Sequence, residues 1–499
     1  MKKEVLINLF FTFLISVLGF LQNRYFVRYM GMETLGVMKL FTQLLAYINI
    51  IEMGIGSASA FALYKPLAEK NKKQIDIIVG TIENIYMKIG SVIFILGILV
   101  LPLLSFFIKS SISSNKLYIY WILYVLNTTI TYFFIKYRIL FTANQEYLYV
   151  VTIQSISIIF FKILQIICIV KFKLFLIYII ILIADNLFQW IIFSIHFKRK
   201  YSYIEKTKER YNGIKSDIKN LFWHKIAGLI VFNTDLLLIS KFVSLDIVGI
   251  YASYQMILAV VITVMNILKG VLTPKIGRFI AKNDTYEIYK KFKELNILYC
   301  FISIFFTFCT YSLIDNFISL WIGDEFIFSK TTLKLVTINL WINLFRWNLE
   351  MFKWGAGFFS DIESSISEAI INFVISIILG LKLGLDGIII GTIVSNILVI
   401  MIYKPILVFK RCFEQKKKEY IKLYSNYLGL IVVSIFCLNF ITKPFVRNDV
   451  TTWVNWIIYA MTISIITLII LFIIFLSNRD FRNIIKKYIL AKNNGEKFI

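Results

Sequence analysis

Nine basic side chains lie inside long apolar runs: Lys39, Lys88, Lys136, Arg138, Lys162, Lys225, Lys269, Lys334 and Arg346. Lys136, Arg138, Lys269 and Lys334 fall near the ends of their runs, where a long stem lets the charge snorkel to water. Lys88, Lys162 and Arg346 are placed deeper and are expected to line a polar cavity. Four acids, Glu52, Asp185, Asp235 and Glu350, sit in similar surroundings. A carboxylate in hydrocarbon is costly unless paired, hydrated or protonated. Glu52 and Asp235, with His224 on the face of Asp235, are therefore candidates for binding a proton or Na⁺. A fixed salt bridge that only holds helices together is the competing role.

The helices that must carry these groups show matching polar faces. Glu52, Gly56 and Ser59 fall within roughly 60° at the helical period, and the small residues among 54–60 permit close helix approach. Asn8, Thr12, Gly19 and Asn23 form a stripe on the first run, and Asn8 and Asn23 join the cavity candidates. His224, Gly228 and Asp235 form a stripe on the seventh. Interhelical hydrogen bonding alone would account for Asn8 and Thr12.

Other patterns carry no chemistry. Gly54-Ile-Gly56 imitates a dinucleotide loop but has no strand before it. There is no phosphate-binding lysine loop of the ATPase kind. Asp361 and Glu363 imitate a metal pair, yet they stand at a run boundary and suit a helix N-terminus. Two histidines, one of them the interfacial His196, and five scattered cysteines suggest neither a metal site nor a disulfide framework. No cofactor is expected.

The chain of 499 residues is 59% hydrophobic and 17% charged, with mean hydropathy +0.77. This excludes a soluble globular protein and points to an all-α polytopic membrane protein. About fourteen spans are expected, among them 5–23, 35–64, 77–108, 220–240, 331–352, 362–381 and 387–409. The initial basic residues and apolar run read as an uncleaved first helix. With the N-terminus inside, inner segments carry 34 Lys and Arg and outer segments 11. That asymmetry places both termini in the cytoplasm. It also explains the net charge of +25 as topology, not nucleic-acid binding. The outer loops are too short for a catalytic domain, which disfavours an enzyme.

A repeat is expected at an offset of 213 residues. Met32-Glu-Thr-Leu-Gly36 matches Leu245-Asp-Ile-Val-Gly249. Ala68-Glu-Lys-Asn71 matches Ala281-Lys-Asn-Asp284, and Phe141-Thr-Ala-Asn144 matches Trp354-Gly-Ala-Gly357. Such duplication is common in transporters. The expected organisation is an N-terminal lobe 1–197 (spans 1–6), a basic cytoplasmic linker 198–219 and a C-terminal lobe 220–410 (spans 7–12). Residues 411–499 add two helices and a basic tail.

The stretches GIGSASAFALYKPLAEK (54–70), NTDLLLISKFVSLDIVGIYASYQ (233–255) and NLEMFKWGAG (348–357) resemble flippases of bacterial polysaccharide repeat units. These are the O-antigen, Wzx-type members of the superfamily that includes MATE drug exporters and lipid II flippases. The resemblance runs over about 1–480. It implies two pseudo-symmetric six-helix lobes in a V with two appended helices, enclosing a central cavity. It implies alternating access on undecaprenyl-diphosphate oligosaccharides in the bacterial inner membrane, for lipopolysaccharide or other surface polysaccharide, coupled to an ion gradient. Lys88, Lys162 and Arg346 would then meet the diphosphate. Membrane lipids, the lipid-linked oligosaccharide and a polysaccharide polymerase are the implied partners. A cation-coupled drug exporter of the same fold, and a membrane-embedded polymerase or ligase, are the alternatives.

Overall fold

The computed structural model describes residues 2–52, 55–108, 110–205, 207, 209–211, 234–358, 361–415, 417–445 and 450–493. All regular structure among them is helical. Apolar solvent leaves no partner for exposed backbone groups, so each span must satisfy its own hydrogen bonds. Ten helices among the described residues are long and apolar enough to cross a membrane.

In chain order the first helices are α1 (Lys2–Met30), α2 (Met32–Ile48), α3 (Ile55–Ala68), α4 (Lys72–Leu99) and α5 (Leu101–Phe107). Then come α6 (Ser114–Ala143), α7 (Tyr147–Phe172), α8 (Phe175–Lys200) and α9, described over 234–242. The remainder are α10 (Leu245–Ile280), α11 (Thr285–Trp321), α12 (Lys330–Phe345), α13 (Trp347–Gly355), α14 (Ile362–Ser395), α15 (Lys404–Cys412), α16 (Lys417–Thr442), α17 (Trp453–Phe475) and α18 (Arg479–Asn493).

By packing, the chain forms two units, Met1–Ala252 and Ser253–Ile499. In the first, α4 packs on α6, α6 on α8 and α1 on α7, around Ile78, Tyr86, Phe134, Phe141 and Phe193. In the second, α11 packs on α12 and α17, and α16 on α17, around Ile297, Cys300, Phe345, Tyr427 and Leu471.

Two features carry the offset of 213. Asn71 and Asp284 are both N-caps, accepting from Gln74 N at 3.2 Å and Glu287 N at 2.9 Å. Each satisfies a backbone donor that the first helical turn leaves open. Gly36 and Gly249 make reciprocal contacts. A methyl group on Gly36 would lie 1.9 Å from Leu245 O, and one on Gly249 would lie 2.7 Å from Met32 O. Met32 and Leu245 are themselves equivalent at that offset, so each glycine lies against the residue that matches the other's neighbour.

Three expected spans are interrupted. The span 35–64 breaks at a 3₁₀ turn, Asn49–Glu52, so Glu52 lies between α2 and α3 and not within one continuous helix. The span 77–108 divides at Val100, just before Pro102, which lacks the N–H a continuing helix needs. The span 331–352 divides at Arg346, between α12 and α13. Helix α14 reverses at Gly384 (φ 58°, ψ −130°), between the expected spans 362–381 and 387–409, in a backbone setting that L side chains resist. Its two halves then pack together, with Asn372 Nδ2 donating to Thr392 Oγ1 at 3.0 Å and Ser376 Oγ to Ile388 O at 3.2 Å. A π-helical stretch, Asn396–Tyr403, follows and delivers Lys404 at the start of α15.

Candidate functional site

The second unit buries a dense group of opposite charges. α13 supplies Glu350 and Lys353, one turn apart, α15 supplies Lys404, and Asp361 caps α14. Lys404 Nζ lies 3.1 Å from Glu350 Oε1, Lys353 Nζ 3.5 Å from Glu350 Oε2 and 2.7 Å from Asp361 Oδ2. All four residues are 7% exposed or less. Beside them Arg346 faces Glu368 at 3.9 Å.

Lys269, on α10, completes the group differently. Its ammonium lies 3.9 Å from the Trp347 ring centroid and 3.5 Å from that of Trp354. Among the described residues no carboxylate is within ion-pair distance of it, although Glu350, Arg346 and Lys353 are within electrostatic reach. Cation–π contact holds such a charge without neutralising it. Four cations (Lys269, Arg346, Lys353, Lys404) thus face three carboxylates (Glu350, Asp361, Glu368), an excess of one positive charge among the described residues. An incoming anion finds donors already oriented and one cation not committed to a carboxylate.

The first unit has its own polar network, built from α1, α2, α7 and α8. Lys162 Nζ donates to Gln22 Oε1 at 2.8 Å, and Gln22 Nε2 to Gln165 Oε1 at 2.5 Å. Lys39 and Asp185 act electrostatically on Lys162. Asp185 accepts from Ser157 and, at 2.9 Å, from Gln189.

The remaining sequence candidates are dispersed. Asn8 donates to Tyr147 Oη at 3.3 Å, and Asn23 is buried and bonded. Glu52 accepts from Tyr86 Oη at 3.3 Å and feels the Arg138 guanidinium. Asp235 accepts from Tyr251 Oη at 3.1 Å. His224 lies outside the described residues. Lys88 is exposed on α4 and lines a separate cavity with Lys136 and the linker. The structure therefore does not group Lys88 with Lys162. It places Arg346 within the charge group of the second unit.

Sequence reasoning missed four members of that group, Glu368 among them. Lys269 was expected to snorkel, yet it is only 9% exposed, held between two indoles. Lys353 and Lys404 fall outside the nine basic residues placed in apolar runs. One signal was available, because Glu350 and Lys353 stand three residues apart and share a helix face. Lys136 was also read as snorkelling, but it pairs with Glu83 at 2.5 Å. No group of three or more His, Cys, Asp or Glu is arranged to hold a metal ion among the described residues.

The model of the polysaccharide biosynthesis protein family matches residues 1–280, more than half of the chain. The chain belongs to that family. A comparison with curated protein sequences gave no match. Among solved structures, this family member is similar to the lipid II flippase MurJ in an inward closed conformation. The identity is 16%, covering 95% of this chain and 99% of that one, with TM-score 0.68. It is also similar to an inward-facing multidrug resistance MATE family transporter of the MOP superfamily. There the identity is 15%, the coverage 79% and 94%, and the TM-score 0.59. A third is the MATE multidrug transporter DinF-BH, at 13% identity, 83% and 96% coverage and TM-score 0.53. These likenesses establish that this polysaccharide biosynthesis family member has the all-helical MATE-like fold of a multi-pass membrane protein.

Proposed function

We propose that the protein is a flippase that moves lipid-linked oligosaccharide repeat units, carried on undecaprenyl diphosphate, across the bacterial cytoplasmic membrane. Both termini face the cytoplasm, and the exported units feed surface polysaccharide synthesis. The observation that supports this most is the buried charge group of the second unit, with one cation in excess, in a member of a polysaccharide biosynthesis family.

A diphosphate cannot cross hydrocarbon bare, since each ionised oxygen would lose its water. Cations that are already desolvated and held in place offer replacement donors at low reorganisation cost. Lys269 approaches the diphosphate first, because leaving two indole faces breaks no ion pair. Arg346 and Lys404 follow by exchanging a carboxylate for a phosphate oxygen. Lys39 and Lys162 supply further cations in the first unit. The isoprenoid tail stays in the bilayer. A proton or Na⁺ bound at the Glu52 and Asp235 carboxylates biases the two access states, since a ligand shifts an equilibrium only by its differential affinity. An export partner such as a polysaccharide polymerase receives the product.

The test is cellular. Cells lacking the protein should accumulate lipid-linked repeat units that an external probe cannot reach, and lose surface polysaccharide. Normal surface polysaccharide together with hypersensitivity to cationic drugs would point to the exporter alternative.

A further inference from the structure

The cavity lined by Lys88, of about 840 Å³, opens on the first unit where α4, α6 and α8 meet the start of the linker. Its apolar wall includes Val79, Met87, Val92 and Phe197. Its polar wall holds Glu83, Lys88, Lys136, Glu205 and Arg210. Three of these charges are matched. Lys136 Nζ lies 2.5 Å from Glu83 Oε1, and Glu205 is held by Lys72 at 2.7 Å. Arg210 donates to the Asn84 amide oxygen at 2.7 and 3.1 Å and to Thr207 O at 3.5 Å, and neither partner carries a charge. Among the described residues no carboxylate pairs with Lys88 or Arg210, so both cations are in excess.

The linker is strapped over this cavity. Tyr211 N donates to Thr81 Oγ1 at 3.0 Å and Glu205 N to Asp76 Oδ1 at 3.0 Å. Gly80 leaves room for Thr207 against α4. The depth is set by the sequence. From Ile89 to Ile108 no residue is charged, and about twenty such residues span the hydrocarbon. Lys88 therefore stands at the hydrocarbon boundary, on the side of the basic loop that ends at Lys72 and Lys73. That is the level of a headgroup phosphate, and the apolar wall lies beside it for the start of an acyl chain.

We propose that this cavity binds the phosphate of an anionic glycerophospholipid, with Lys88 and Arg210 as its donors. The lipid is a resident ligand and not cargo, and the proposal holds whatever the protein transports. Phosphate bridging α4 and the linker would fix the strap on the helix.

Native mass spectrometry of the full chain in detergent tests this with three probes: phosphatidylglycerol, phosphatidylcholine and inorganic phosphate. Phosphatidylglycerol should bind in preference to phosphatidylcholine. Its affinity should fall roughly fivefold with Lys88→Gln or Arg210→Gln, and roughly twenty-five-fold with both. The Lys88→Arg and Arg210→Lys variants should retain binding, which separates lost charge from lost fold. Retention of phosphatidylglycerol in the presence of excess inorganic phosphate supports a lipid site. Displacement by inorganic phosphate would overturn the lipid assignment in favour of a free-anion site. Undiminished preference for phosphatidylglycerol in the folded double variant would overturn the site itself.

Discussion

Lys269 shows how a residue's neighbours decide its role. Its position near the end of an apolar run suggests a charge reaching for water, but two indole rings enclose it instead. Replacing it with Gln removes a cation while leaving the Glu350, Lys353, Lys404 and Asp361 pairs intact. Protein abundance should stay normal and export of surface polysaccharide should fall about tenfold or more, the worth of one hydrogen bond to a charged group. Lys269→Arg should restore much of it. Glu350→Gln should behave in the opposite way. It leaves Lys404 and Lys353 to share Asp361, and losing one partner of a buried pair costs about 3–5 kcal/mol, so the melting temperature and the membrane yield should drop.

A third residue has a pH signature. Glu146, in the turn between α6 and α7, sits with His196 at 2.8 Å, Lys200 at 3.1 Å, Asn144 at 3.0 Å and the Tyr201 hydroxyl. Burial alone would raise its carboxyl, but those donors, Tyr201 foremost, hold it at about 2, down from 4.5. A depressed carboxylate contributes stability that is present above its unfolded value and is lost as pH falls through the folded one. The stabilising effect of Glu146 over Glu146→Gln should therefore be full above about pH 4.5 and vanish as pH drops toward 2. A thermal-shift series on both proteins checks this.

At the scale of the helices, much was legible and the exceptions are instructive. The polar, glycine-bearing stretch 382–386 separated two expected spans, and α14 does reverse there, at Gly384. A side chain at that φ and ψ costs about 1–3 kcal/mol. Gly384→Ala should thus lower thermal stability by that order without touching the charge group. The break before Glu52 was not legible, because hydropathy runs unbroken through Asn49-Ile-Ile and only the sideways bond to Tyr86 marks it. Buried ion pairs such as Lys353–Asp361 were hidden for a similar reason. They join a helix to the cap of the next across a turn, and no period in the sequence encodes that closure. The equivalence of Asn71 with Asp284 was legible because helix starts demand a small set of capping residues.

For the whole molecule, the family match and the MATE-like fold establish the architecture, while the proposed direction and cargo rest on charge. Topology is checked by cysteine labelling. Ser202 in the linker should be protected from an external impermeant reagent, and Ser113 before α6 should react. Equal reactivity at both would break the proposed orientation. The central claim, movement of a diphosphate-linked oligosaccharide, is tested most directly in proteoliposomes. A fluorescent undecaprenyl-diphosphate oligosaccharide is placed in both leaflets, and a membrane-impermeant quencher is added outside. Wild-type protein should expose the inner-leaflet label to the quencher well beyond protein-free vesicles, and Lys269→Gln should slow that phase about tenfold or more. Quenching that stops at the outer leaflet with correctly folded wild-type protein, under both proton and Na⁺ gradients, would contradict the account.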